Sequence, residues 1–478
     1  MIIPFLIVAL AFGGIIVTKL TLIQDLLCEQ YFAQQAAKDP TFTFLPIKLN
    51  EDNQQCKTPE VSSMVSVFMV WTSLLSGIPT IFLAPILGAY SDRHGRTKVL
   101  AITSLGSVCG ELVTIIVASY PQTVSVYWIL IGYVFEGLSG SFIVSMAIAN
   151  AYAADCTPPT KRAQALGYVY GCLFAGIALG PLISAKLVQV TNGNMIAPFY
   201  LALGVHSCFV PFMRFVVPDS LTQRRKVAAR EAWNDAKASR ERTSEFRRAI
   251  NLTKSLRILW PKGDGASAVL RRNLVLLASV DTLFFGVAMG AITTTLVYTR
   301  QTFHWDHAMT QYYVSIVNIC RVTVLLAILP TLNRLIRGKS RSDHKQGHTG
   351  ADRIDLAFIK AGVLFDLIGF IGFAASTSST MFILSGALAS AGGIVNPTLA
   401  SALTRHMPAH LTGQLLGAIG VLHALARVIS PAIFNGIFAV TAGTFPQTVF
   451  VCLACAFGLA ELLSWFVKPH GEFDPKLL

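Results

Sequence analysis

Gly88-Ala89-Tyr90-Ser91-Asp92-Arg93-His94-Gly95-Arg96-Thr97-Lys98 stands between two apolar stretches, residues 61–88 and 98–119. Each stretch reaches the roughly 20 residues that a helix needs to cross the hydrocarbon core of a bilayer. A short, basic connection between two such helices reads as a tight turn at one membrane face, with Gly95 permitting the turn. Working outward, the pattern repeats. Apolar segments fall near 2–27, 61–88, 98–119, 123–153, 162–189, 196–217, 273–299, 308–335, 354–375, 378–404, 411–440 and 445–467. The 478 residues are 53% hydrophobic and only 13% charged, about half the charge of a soluble chain. Twelve such segments leave no room for a large soluble catalytic domain. The fold class expected is therefore an all-α membrane protein with twelve transmembrane helices. Pro79, Pro85, Pro181 and Pro431 lie inside segments, which membrane helices tolerate because neighbours satisfy the freed backbone groups. The first segment reads as a span and not as a cleaved signal, since nothing charged precedes Lys19. Its abrupt start after Met1 leaves room for a longer native N-terminus.

Charge placement gives the topology. Thirty-eight Lys and Arg against 25 Asp and Glu leave +13, which in a soluble protein would point to nucleic acid. In a polytopic protein the bases gather in cytoplasmic loops instead. Residues 214–272 carry fifteen bases against six acids, 334–355 six against three, and 92–98 three against one. The intervening connections are acidic (28–60) or uncharged (near 120, 377 and 443). Both chain ends and the basic linker are thus expected in the cytoplasm, with a plasma membrane as the expected location. The expected organisation is a six-helix half (1–217), a cytoplasmic linker (218–272) and a second six-helix half (273–478). The linker reads as a solvated, partly helical connector, with contact to anionic lipid as a lesser role. The lipid bilayer is an expected partner and nucleic acid is not. Of nine cysteines, Cys28 and Cys56 lie in or beside the exoplasmic 28–60 connection, where oxidation is possible and pairing stays open. Cys452 and Cys455, one turn apart in an apolar helix, read as packing residues.

The halves resemble each other at an offset of 250. Pro158, Gln164, Leu166, Gly167 and Pro181 recur as Pro408, Gln414, Leu416, Gly417 and Pro431. Repeats of this kind build transporters whose central site opens to alternate sides. The 88–98 string resembles the G-x-L-[AS]-D-[RK]-x-G-[RK]-[RK] signature of the major facilitator superfamily, and lies between spans 2 and 3 as that family has it. Tyr90 and Thr97 are its departures. The resemblance implies that Gly88, Asp92, Arg93, Gly95 and Arg96 form a cytoplasmic gate. Asp155 and Arg162, in a stretch similar to the family's charged turn after span 4, are implied to join it.

A second string, Gly167-x8-Gly176-x3-Gly180-Pro181-x2-Ser184-Ala185, resembles the element of the superfamily's antiporter branches, with Ser184 and Ala185 replacing two glycines. It carries two readings of equal weight: an antiporter element, or close helix packing at the interface of the halves. Glu136-Gly137 matches the end of the span 4 element common in proton-coupled exporters, but Tyr133 stands where that element has Arg. Proton antiport by the usual arrangement is therefore in question.

Intramembrane charges cost a few kcal/mol by insertion scales, so they are usually functional or paired. Glu136, Arg321 and Arg427 lie near mid-span, with Asp281 and Lys19 somewhat off the middle. These five are the expected groups for substrate or proton coupling, by a family resemblance that puts their spans around a central cavity. Glu136 reads as the protonatable group, and Arg427 with Arg321 and His423 as an anion-facing patch. The plainer alternative is an ion pair between the halves, and His423 taken alone reads as packing. Glu111, Lys360, Asp366 and Glu461 fall on spans expected to be peripheral. Gly338-Lys339-Ser340 imitates the end of a nucleotide-binding loop, but Asn333 occupies the place of its first glycine. No cofactor, no metal site and no enzymatic activity are expected, because no ligand cluster or nucleophile–base set occurs.

The reading favoured is secondary transport of a small organic molecule, coupled to protons and directed outward, as in the superfamily's drug/proton antiporters, by a functional monomer. One alternative is proton-coupled uptake of an organic anion, given a weaker resemblance to proton-coupled folate transporter relatives. The other is a transporter-like receptor that does not transport.

Overall fold

The computed structural model describes residues 2–39, 41–47, 53–157, 162–238, 256–261, 267–337, 351, 353–407 and 412–469. Most of the linker after Ala238, the Gly338-Lys339-Ser340 string, and Pro158 and Pro408 of the repeat lie outside them. Every regular element among the described residues is helical. Twelve are long and apolar enough to cross a membrane: span 1 Ile2–Lys38, span 2 Pro59–His94, span 3 Arg96–Ser119, span 4 Val126–Ala153, span 5 Tyr168–Val190 and span 6 Ala197–Val216. They continue with span 7 Ala268–Phe303, span 8 His307–Leu332, span 9 Arg353–Ala375, span 10 Ser379–Arg405, span 11 Ala418–Thr441 and span 12 Thr448–Trp465. The chain is a multi-pass membrane protein.

Spans 1, 2 and 7 run beyond their apolar stretches to 37, 36 and 36 residues. At 1.5 Å per residue that is about 55 Å, against a hydrocarbon core of about 30 Å, so polar helix ends project from the apolar layer. The connection expected over 92–98 shrinks accordingly. Span 2 ends at His94 and span 3 begins at Arg96, with Gly95 alone between them.

Spans 4, 8 and 10 are interrupted by irregular backbone, and span 6 ends in a π-helical turn over Phe212–Val216. Span 4 breaks after Leu138 and resumes at Ser141, with φ +90° at Gly140 and +51° at Ser141. Span 8 widens to a π-helix over Val324–Ile328, and span 10 tightens to a 3-10 helix over Ser390–Ile394. Irregular backbone at membrane depth persists where it is buried in protein or lines a cavity.

The residues form two compact units, Met1–Ile250 with Thr295–Ser315, and Asn251–Thr294 with Ile316–Leu478. In the first, Val99 and Leu100 of span 3, Val144 and Ile148 of span 4, and Phe209 and Met213 of span 6 make one core. Phe5, Met146, Ala149 and Val169 make another. The second unit is built on aromatic rings. Phe373 lies 4.4 Å from Phe382 and 5.6 Å from Phe450, and Phe457 lies 5.0 Å from Phe370 and 5.7 Å from Phe284. Such edge and offset contacts add to the burial of ring area.

Candidate functional site

The turn at Gly95 holds the first cluster. Its φ of +111° belongs to the region glycine favours, and its N–H donates to the Ser91 carbonyl at 2.9 Å. Asp219, just past span 6, sits on this turn. Its Oδ1 accepts from the Arg96 N–H at 3.0 Å and its Oδ2 lies 2.6 Å from Lys226 Nζ. A Cβ at Gly95 would collide with the Asp219 carboxylate. The Arg96 guanidinium reaches Asp92 at 2.7 Å, Asp155 at 3.2 Å and the Ser91 hydroxyl at 2.6 Å. Asp155 also accepts from Ser220 at 3.1 Å and faces Arg225 at 3.6 Å. Arg93 offers its carbonyl to Arg230 Nε at 3.0 Å.

Asp92, Arg93, Gly95, Arg96 and Asp155 therefore share one network. Gly88 lies a turn and more upstream, where its carbonyl accepts from the Ser91 hydroxyl at 2.7 Å and a Cβ would meet no described atom within 4 Å, and the Arg162 side chain is outside the described residues. The beginning of the linker differs from a solvated connector. The helix Gln223–Ala238 and the residues before it supply Asp219, Ser220, Arg225, Lys226 and Arg230 to the network.

The second cluster lies inside the membrane layer of the first unit. Lys19 of span 1 places Nζ 3.3 Å from Glu136 Oε1 of span 4 and 4.2 Å from the centre of the Tyr133 ring. The Lys19 side chain is 10% exposed and that of Glu136 26%. The ammonium gains a carboxylate and a ring face at once. The break in span 4 follows Glu136 within one turn, so the carboxylate stands where backbone polar groups are freed. Behind it, Glu111 of span 3 lies 3.6 Å from His206 of span 6.

A third cluster is polar and was not foreseen. Arg300, at the end of span 7, is 1% exposed and donates to Gln24 Oε1 at 2.7 Å and to Thr21 Oγ1 at 3.0 Å. His307 Nδ1 lies 3.2 Å from Thr21 Oγ1, and its Nε2 lies 2.5 Å from Gln311 Nε2. Gln311 donates to Thr18 at 3.2 Å and Ser184 at 3.3 Å. Gln24 in turn donates to the Cys56 carbonyl at 2.9 Å, and Cys56 is disulfide-bonded to Cys28. These bonds draw Thr295–Ser315 into the first unit.

The span 5 glycines pack on span 1. A Cβ at Gly180 would lie 2.5 Å from Gly14 N and 2.6 Å from Leu10 O, and one at Gly176 would meet the Ala9 backbone. Pro181 sits within the uninterrupted helix Arg162–Val190, as does Gly167, whose surroundings are outside the described residues. In the second unit, Asp281 Oδ2 is 2.6 Å from His423 Nε2, and Phe285 stacks on the imidazole at 4.2 Å. Arg321 lies against Gly393 and Asp366 against Gly392 of the 3-10 stretch, with Arg321 Nε and Asp366 Oδ2 each buried without a hydrogen-bond partner among the described residues. Arg427, one turn beyond His423, is half-buried and engaged. Of the three groups expected in an anion-facing patch, His423 thus has an acidic partner.

Twelve apolar spans, a charged one-glycine turn between spans 2 and 3, and a buried lysine–glutamate pair narrow the families this chain can join. The sequence model of the Major Facilitator Superfamily matches residues 5–431. The chain belongs to that superfamily. Among superfamily members, the MFS-type transporter avaJ of Aspergillus versicolor is 29% identical over 96% of this chain and 86% of its own length. The MFS efflux pump atnC of Emericella nidulans is 24% identical over 96% of this chain and 85% of its own. The crystal structure of the human organic anion transporter MFSD10 (TETRAN) superposes with a TM-score of 0.63 at 20% identity, covering 97% of each chain. This last likeness establishes the fold.

Sequence reasoning missed Arg300, Gln24, Gln311, His206 and Asp219. The first four lie in or at the end of apolar stretches, and Arg300 stands directly after the 273–299 stretch. Thr18, Thr21 and Gln24 at intervals of three are the one available signal: a polar stripe on an otherwise apolar helix.

Proposed function

We propose that this superfamily member exports a small organic molecule, a drug-like compound or secondary metabolite, in exchange for protons. Alternating access carries the molecule across, and Glu136 is the coupling carboxylate. The observation that carries this reading is the Lys19–Glu136 pair beside the break in span 4. Lys19 brings to Tyr133 the positive charge that the sequence lacks there. With Glu136 ionised, the ammonium is neutralised and span 4 is tied to span 1. A proton on Glu136 removes that attraction, and the bias between conformations changes by the difference in pairing energy. Outward direction is supported by the relative named as an efflux pump. The pairing of His423 with Asp281 counts against uptake of an organic anion. In this reading the Gly95 turn and the linker face the cytoplasm with both chain ends, in a plasma membrane, and a monomer suffices.

The test is reconstitution in liposomes under pH gradients of either sign, with a panel of amphipathic drugs and organic anions. Extrusion driven by inward proton flow supports the proposal. Co-accumulation with protons would replace it by symport, and absence of any flux across the panel would favour a receptor.

A further inference from the structure

A second buried acid lies behind the Lys19–Glu136 pair, and the exchange proposed above does not use it. Glu111 is 2% exposed. Its Oε1 is 3.6 Å from His206 Nε2, and His206 Nδ1 is 2.8 Å from Ser104 Oγ. Its other carboxyl oxygen, Oε2, is buried without a hydrogen-bond partner. A separation of 3.6 Å is longer than a hydrogen bond, whereas the His423–Asp281 contact of the second unit closes to 2.6 Å. Neither charge state of the Glu111–His206 pair is fully satisfied. The ionised carboxylate lacks donors on one oxygen, and the neutral acid lacks a close acceptor. Two states that are both incompletely satisfied lie closer in free energy than a closed ion pair and its neutral form.

The position of Glu111 links it to the coupling pair. A Cβ at Gly110 would lie 3.2 Å from Glu136 Oε1 and 3.3 Å from the Gly132 carbonyl, so spans 3 and 4 approach closely here. Glu111 is thereby within electrostatic reach of both Lys19 and Glu136. The charged and titratable groups around it are Lys19 from span 1, Tyr133 and Glu136 from span 4, and His206 from span 6.

We infer that Glu111 and His206 form a second proton site, and that Glu111 becomes the partner of Lys19 when Glu136 is protonated. The inference rests on Glu136 being the coupling carboxylate. Before uptake, Lys19 is neutralised by Glu136, and a neutral Glu111 faces a neutral His206 whose Nδ1–H donates to Ser104. A proton entering on Glu136 leaves Lys19 without a counter-charge. The Glu111 carboxyl proton then passes to His206 Nε2. The resulting carboxylate lies between two cations, and the cluster has gained one positive charge for one proton taken up. Loss of that proton from His206 completes the transfer.

The test needs no substrate. The full-length protein in phosphatidylcholine nanodiscs is stepped in pH while infrared difference spectra follow the protonated-carboxyl stretch. Glu111→Gln is expected to remove one titrating component. His206→Asn and Glu136→Gln are each expected to keep that component and move its midpoint by more than about one pH unit. The second site is overturned if Glu111→Gln leaves the titration unchanged, or if the component ignores His206→Asn. A component that responds to His206→Asn and ignores Glu136→Gln overturns the exchange of partners. Should Glu111→Gln fail to fold, His206→Asn reads the same band in a chain that keeps Glu111. Failure of Glu136 as coupling group would appear instead in proton-driven flux, with the Glu111 titration still present.

Discussion

Lys19 and Glu136, 117 residues apart in the chain, meet at 3.3 Å between spans 1 and 4, with the ammonium 4.2 Å from the Tyr133 ring. Removing one member of a buried pair strands the other, at a typical cost of about 3–5 kcal/mol. Glu136 is a quarter exposed, so the lower end of that range is expected for Lys19→Ala. A double-mutant cycle checks it. Lys19→Ala combined with Glu136→Gln should recover much of the thermal stability lost in Lys19→Ala alone. Additive losses would mean that the two groups do not interact.

The two glycine motifs should respond to alanine in opposite ways. At Gly180 a Cβ has backbone atoms of span 1 at 2.5 and 2.6 Å, so Gly180→Ala is expected to destabilise by about 1–3 kcal/mol through overpacking. At Gly88 no described atom comes within 4 Å of a Cβ. Gly88→Ala should stay within about 0.5 kcal/mol of the parent. Thermal unfolding of the purified protein in detergent distinguishes the two.

Gly95→Ala carries two penalties, a backbone φ of +111° and a collision with Asp219. Asp219→Gly in the same chain relieves the collision and leaves the backbone strain. Partial recovery of melting temperature is therefore expected. Full recovery would show that strain at Gly95 is negligible.

Arg300 bonds Gln24 through Nε and Thr21 through one terminal nitrogen. Lysine has no planar fork to reproduce this. Arg300→Lys should lose nearly as much thermal stability as Arg300→Ala, although it keeps the charge. Near-parental stability of the lysine variant would mean that charge alone matters there.

The Cys28–Cys56 bond predicts that a chain keeping only these two cysteines resists an impermeant maleimide until it is reduced. Labelling after reduction from outside the cell would also place that connection opposite the linker. Replacing Cys56 by Ser should cost about 2–5 kcal/mol.

Much of this architecture is legible without coordinates, for definite reasons. Twelve apolar stretches of helical length announce themselves because a bilayer leaves few other options. The residues around Gly95 are adjacent in sequence, so their clustering needs only a turn. Asp219 escaped because it reads as one charge among the 20 of a basic linker, and only the fold returns the end of span 6 to the start of span 3. Lys19 and Glu136 were each conspicuous as intramembrane charges, yet nothing local shows that they meet. The Arg300 cluster is hidden for another reason. Its members are mostly neutral amides and hydroxyls, which barely lower the apolar character of the helices that carry them.

The central claim is that Glu136 couples proton entry to export. The most direct measurement is proton-driven flux of a responsive substrate in liposomes, comparing the parent with Glu136→Gln at matched protein content. The account predicts that Glu136→Gln abolishes acceleration by the pH gradient while leaving passive exchange of the substrate. Unchanged gradient-driven flux in Glu136→Gln would contradict it.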